Sequence, residues 1–138
     1  TLEYLETNGV PVVGYQTNEL PAFYTSKSGF GVDYRVENTM ELAKAMKTKW
    51  DLNLKGGLVV ANPIPAKYEM DPKVINGAIE EALKQSIKDG IKGKETTPYL
   101  LAKVKELTGG DSLDSNIQLV YNNAKVGAQL AVDLAKLG

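Results

Sequence analysis

Two short β-branched runs decide most of what this chain can become: "VPVVGY" over residues 10–15 and "LVVAN" over residues 58–62. Each is short and apolar without alternation, so each reads as a strand covered on both faces. Pro11 suits only the opening residues of its strand. Between the runs, Leu42, Ala43, Met46 and Trp50 form one apolar stripe of a helix over residues 39–51, capped by Asn38 or Thr39. A strand, a crossover helix and a second strand make a βαβ unit with parallel strands. "VDYRV" adds a short edge strand with Val32, Tyr34 and Val36 on one face. So few parallel strands leave open edges, which natural proteins avoid. The strands are therefore expected to belong to a wider sheet whose other members are not in this sequence.

The remaining segments punctuate themselves as helices. Residues 2–8 follow Thr1 and stop at Gly9. Residues 72–89 follow an Asp71 cap with Pro72 at the first position, carry Ile75, Ala78, Ile79, Ala82, Leu83 and Ser86 inward, and stop at Gly90. Residues 98–108 repeat the device with Thr97, Pro98 and Gly109, and Ser112 opens a last helix over residues 113–137. The expected class is α/β. The loop between the first strand and the edge strand holds Phe23, Tyr24 and Phe30, aromatics that could stack a base or fill a subunit contact.

Composition narrows the chemistry. The 138 residues amount to one domain, and a formal net charge of −1 gives no reason to expect nucleic acid or an anionic membrane as partner. No apolar run approaches the ~20 residues needed to cross a bilayer, and no secretory leader is visible. There is no Cys and no His, so thiolate or imidazole metal ligands and Ser-His relays are impossible within the chain. A cytoplasmic location is the default expectation. The chain opens on Thr1 rather than Met, as expected of a processed chain or a portion of a longer one.

The last helix poses the sharpest question. At ~100° per residue, Asp114, Gln118, Asn122, Lys125, Gln129, Asp133 and Lys136 form a polar arc. Leu113, Ile117, Val120, Ala124, Gly127, Ala131 and Leu134 form the opposite stripe, expected to pack inward. Asn116 and Asn123 fall inside that apolar arc, while Asn122 points to solvent. A buried carboxamide without partners costs ~1–3 kcal/mol, so both inward asparagines need them. For Asn123 the expected partner is loop backbone or the carbonyls of a neighbouring element. Asn116, in the first turn after "TGGDS", is where helix N-termini and loops meet ligands, and a carboxamide can both donate to and accept from a nucleobase.

"TLEYLETNGVPVVGY", "PAFYTSKSGF", "VANPIP" and "GIKGKETTPYLLAKVKELTGGDSLDSNIQLVYNNA" together resemble the pseudouridine-5′-phosphate glycosidases, also called the indigoidine-synthase-A-like family. The resemblance runs the length of the chain and covers the C-terminal portion of the family's domain, the N-terminal portion being absent. It implies a large α/β/α sandwich, typically assembled as a homotrimer. It implies reversible cleavage of the C–C glycosidic bond of pseudouridine 5′-phosphate to uracil and ribose 5-phosphate. It also implies a lysine Schiff base, a glutamate acid/base and a divalent metal, usually manganese. All three sets of residues lie upstream of Thr1 in the family, so no catalytic residue and no metal ligand is expected here. The one family contact carried over is the asparagine of "SLDSN", Asn116.

Weaker candidates are Asn62 at the carboxyl end of a parallel strand, Lys94 before a helix, and Thr97 at that helix's start. Each has a plain alternative: a turn former, a solvated lysine and a cap. Glu19, Glu80 and Glu81 offer no paired-carboxylate geometry legible in sequence. Two functions compete: a part of the glycosidase, or a non-catalytic interaction or scaffolding piece of the same fold.

Overall fold

The computed structural model describes residues 1–138 as a mixed α/β chain with a three-stranded parallel sheet and five α-helices. In chain order these are α1 (Leu2–Thr7), β1 (Val12–Tyr15), β2 (Tyr34–Val36), α2 (Thr39–Asp51), β3 (Val59–Ala61), α3 (Pro72–Lys88), α4 (Thr96–Leu107) and α5 (Asp111–Lys136). The sheet order is β2-β1-β3, so β1 is central and β2 and β3 each have one edge without a partner strand. Val13 pairs with Tyr34 on one side and Val60 on the other. The sequence-expected βαβ unit is thus β2-α2-β3 wrapped around β1, with β1 and β3 parallel neighbours as expected.

α2 forms where its signals put it. Asn38 Oδ1 accepts from the Glu41 amide at 2.9 Å, and Glu41 returns the favour by accepting from the Glu37 amide at 2.9 Å. This reciprocal arrangement satisfies helix-start donors that would otherwise lack partners. Leu42 and Ala43 are fully buried, and Leu42 packs with Val13 and Val36. Trp50, expected on that stripe, is half exposed, because α2 has run past the sheet's amino edge by its last turn. On α3, Asp71 caps as expected, accepting from the Lys73 amide at 2.8 Å. Ile75, Ala82 and Ser86 point inward, the last because its hydroxyl donates to the Leu83 carbonyl. Leu83 itself is 42% exposed, which corrects the expected inner face. Ile75 and Ala82 join Tyr24 and Val104 in a second core beneath α3 and α4. Tyr34, expected on one face with Val36, is exposed on β2, an edge strand, while Val36 is buried.

Two corrections matter for function. α4 starts at Thr96, directly after a 3₁₀ turn at Gly93–Glu95, so Thr97 is inside the first turn and makes no cap bond. α5 is rotated relative to the expected phase. Its buried positions are Ser112, Ser115, Leu119 and Asp133, with Val126 and Leu130 half-buried between them. The stripe expected inside faces outward: Leu113, Ile117 and Val120 are exposed, as are Ala124, Gly127 and Ala131, and only Leu134 is half-buried.

The physical reason lies in bonded polar side chains. Ser115 Oγ donates to the Tyr68 carbonyl at 2.9 Å. Asp133 Oδ2 accepts from Thr39 Oγ1 at 2.6 Å, at the first residue of α2. Asp133 Oδ1 accepts from Lys136 Nζ at 2.8 Å and from Gln129 Nε2 at 3.1 Å. Lys136 and then Thr39 hold the Asp133 carboxyl down to about 2. A carboxylate whose pKa is lowered on folding adds stability above its ordinary value of 3.8, and that stability is lost as the pH falls to about 2. Asp133→Asn is therefore expected to lower the melting temperature at neutral pH, and the gap to the unsubstituted chain should close between these two values. A gap that is constant with pH contradicts the assignment.

Candidate functional site

In open parallel sheets ligands bind outside the carboxyl ends of the strands, where the order of strands turns back on itself. Here that place lies between β1 and β3: the chain leaves β1 towards β2 and reaches β3 only after crossing back through α2. A crevice of about 470 Å³ opens there, lined by Tyr15, Gln16, Ser26, Asn62, Glu69 and Asn122 among others. The largest cavity, about 820 Å³, lies at the opposite, amino end of the strands, between the end of α1 and the end of α2. It is bigger but stands away from the edge where strand ends present their side chains, so we assign the candidate site to the crevice.

The turn after β1 shapes one wall. A Cβ on Gly14 would stand 2.0 Å from the Thr17 carbonyl oxygen, so the chain can fold back this closely only at a glycine. Gln16 then takes a left-handed φ of 57°, a conformation that costs ~1–3 kcal/mol and persists only where the surroundings fix it. Its amide donates to the Val36 carbonyl at 2.8 Å and its Nε2 to the Glu37 carbonyl at 2.9 Å. The following loop is held by carboxylates. Glu19 accepts from the amides of Ser28 at 3.1 Å and Gly29 at 2.9 Å, which lower its pKa. Glu69 Oε1 accepts from the Ser26 amide at 2.7 Å and Ser26 Oγ at 2.8 Å.

The other wall is an amide cluster. Asn62, just past β3, donates from Nδ2 to Asn123 Oδ1 at 2.8 Å. Asn122 Nδ2 donates to Asn62 Oδ1 at 3.3 Å and to the Pro63 carbonyl at 3.2 Å. Asn122 is thus half-buried and turned to the sheet, not to solvent as its arc suggested. Asn123 has a partner on a neighbouring element, but it is a side chain, and Asn123 itself is exposed.

The other sequence candidates do not join this crevice. Asn116 is half-buried on α5, one turn before Leu119 and on the same face as Asn123. Lys94 is exposed in the 3₁₀ turn ahead of α4. Thr97 lines a separate cavity of about 250 Å³, with Tyr24, Ile75 and Val104. Of the loop aromatics, Tyr24 is core, edge-on to Phe23 with ring centroids 4.9 Å apart, while Phe23 and Phe30 are exposed. Burial raises the Tyr24 phenol, and the Ser112 hydroxyl opposes that shift. Gln16, Glu69 and Asn122 were missed from sequence; the "YQTN" and "NPIP" turns at strand ends were the available signals. No three of the Asp and Glu side chains converge as metal ligands. No helix is long and apolar enough to cross a membrane.

Residues 1–133 match the model of the indigoidine synthase A like protein family. A pseudouridine-5′-phosphate glycosidase of Alkaliphilus metalliredigens is 65% identical over 137 residues, covering 99% of this chain and 45% of that protein. One of Clostridium botulinum shows the same 65% identity and the same coverage. Among solved structures, a prealnumycin C-glycosynthase in complex with ribulose 5-phosphate superposes with a TM-score of 0.87 at 32% identity, over 99% of this chain and 45% of that one. An indigoidine synthase A-like protein of Thermotoga maritima gives 0.83 at 40% identity, over 97% of this chain and 44% of its own. The chain spans about 45% of the length of these curated relatives. With its model matched along nearly the whole sequence, the chain belongs to the indigoidine synthase A like family.

Proposed function

We propose that the chain is the C-terminal part of a pseudouridine-5′-phosphate glycosidase that works in the cytoplasm. The complete protein cleaves the C–C glycosidic bond reversibly to uracil and ribose 5-phosphate. The observation that supports this most is the 65% identity to such glycosidases over 99% of the chain, with the "SLDSN" asparagine present at Asn116. Breaking a C–C bond at a sugar carbon offers no heteroatom leaving group to protonate. A lysine imine on the opened sugar supplies an electron sink in its place. In this reading the lysine, the glutamate acid/base and the aspartate associated with manganese all sit outside Thr1–Gly138, and the complete protein assembles as a homotrimer. This chain supplies the parallel strands, Asn116 and the carboxyl-end crevice. The experiment is uracil release from pseudouridine 5′-phosphate. The chain alone is expected to release none, and the same chain preceded by the upstream portion of the Alkaliphilus relative is expected to turn over. Silence from the joined protein would favour the scaffolding reading, and release by the isolated chain would overturn the assignment of chemistry upstream.

A further inference from the structure

We propose that the upstream portion of the complete protein adds an apolar strand to the free edge of β3, seated in a slot between the loop after β1 and α5, and that β2 stays an outer edge of the completed sheet. The proposal goes beyond the glycosidase reading and rests on it only for the existence of that upstream portion. Three observations carry it.

The first is unspent backbone bonding on one side of β3. Val59 donates its amide to the Pro11 carbonyl at 3.0 Å, towards β1. In a parallel pair the next residue turns its N–H and C=O the other way. Val60 therefore presents both groups to the open edge, where no backbone group of this chain meets them. Val60 is half-buried, and backbone polar groups withdrawn from water are nearly always paired in native proteins. A further strand pairs both at once.

The second is the slot itself. A groove of about 410 Å³ runs along that edge, and Val59, Val60 and Ala61 all line it. Successive residues of a strand point to opposite faces, so the groove wraps around the edge and reaches both faces of β3. Val126 and Leu130 of α5 form one wall, Leu130 packing in the same cluster as Val60. Leu20 and Phe23 reach the groove from the loop after β1. Phe23 is 48% exposed, a surface that an added strand would cover. A strand lying here meets apolar side chains from two separate elements, which is the setting of a core strand in a parallel sheet.

The third is charge, which separates the two edges of the sheet. No residue lining the groove is charged. The β2 edge carries Arg35, whose Nε donates to Glu37 Oε1 at 2.6 Å, and an exposed Asp33 precedes the strand. Charged side chains are one way natural sheets close an edge to further strands. β2 is built in that way and β3 is not. The occupant follows from length: the chain spans about 45% of its curated relatives, so more than half of each lies outside it. An uncharged slot suits an apolar run from that remainder better than a peptide that must also stay dissolved in water.

The test uses the joined protein and reads single backbone amides by hydrogen exchange. Arg35 is the comparison: the Gln16 amide donates to the Val36 carbonyl across the β1–β2 pair, so the alternation turns the Arg35 amide to the outer side of β2. The Val60 amide is expected to exchange at least ~100-fold more slowly than the Arg35 amide. In a second measurement, Phe23→p-benzoylphenylalanine is irradiated in the same protein and the adduct is mapped by mass. The adduct is expected to join position 23 to an apolar run upstream of Thr1 within one polypeptide. Equal exchange at Val60 and Arg35, an adduct that spans two copies, or no adduct on an upstream peptide would each overturn the proposal. Neither measurement needs turnover, so both stand apart from the glycosidase test. A joined protein that releases uracil while Val60 exchanges as fast as Arg35 sinks this proposal alone. One that protects Val60 without turning over sinks only the reaction assignment.

Discussion

In a protein carrying the upstream portion, Asn116→Ala is expected to lower kcat/KM for pseudouridine 5′-phosphate by ~10-fold or more, about 1.4 kcal/mol of transition-state stabilisation. The melting temperature should barely move. Asn116 is half-buried near the start of α5, and no side chain or backbone group of this chain engages its carboxamide. Removing it therefore leaves nothing in the fold unpaired. Asn123→Ala makes the control. It frees the Asn62 amide from a 2.8 Å bond on an exposed face, which should cost ~0.5–1.5 kcal/mol of stability and lower kcat/KM less than Asn116→Ala does. Steady-state kinetics with parallel thermal melts check both. Exchanged behaviours would place the ligand beside Asn123, one register further along the helix.

The second large effect is in the sheet core. Leu42→Ala is expected to destabilise the chain by ~2–5 kcal/mol. Leu42 has no exposed surface and fills the space between Val13 of the central strand and Val36 of the edge strand, so truncation leaves a cavity that a parallel sheet cannot collapse. Ile117→Ala, by contrast, should change stability by less than ~0.5 kcal/mol, because Ile117 is 38% exposed on the outward face of α5. Denaturant midpoints at constant slope measure both. Similar losses in the two variants would restore the helix phase that hydrophobicity alone suggested.

That contrast marks where the sequence was legible. α2 was readable to its ends because its cap is local: Asn38 and Glu41 are three residues apart and bond each other's backbone neighbourhood. β1 and β3 were readable because uninterrupted β-branched runs have few other uses, although each strand is shorter than its apolar run. α5 was misphased because its inward positions include Ser115 and Asp133, whose partners, Tyr68 and Thr39, are 47 and 94 residues away. No periodicity reports such a partner. The start of α4 was misplaced because Thr97-Pro98 imitates a cap and first turn, while a 3₁₀ turn had already begun the helix. In the candidate site, Asn62 was legible from its place at a strand's carboxyl end. Gln16, Glu69 and Asn122 were not, since their convergence depends on a left-handed residue and on the true rotation of α5.

In the proposed reading this chain houses and supports the site, while the covalent chemistry belongs to a lysine outside it. Borohydride reduction of the joined protein with ribose 5-phosphate converts a lysine imine to a stable secondary amine, and peptide mass mapping then locates the pentose phosphate. The label is expected on a lysine upstream of Thr1, and on no peptide of Thr1–Gly138. A reduced adduct on Lys94, or on any other lysine of this chain, would contradict it.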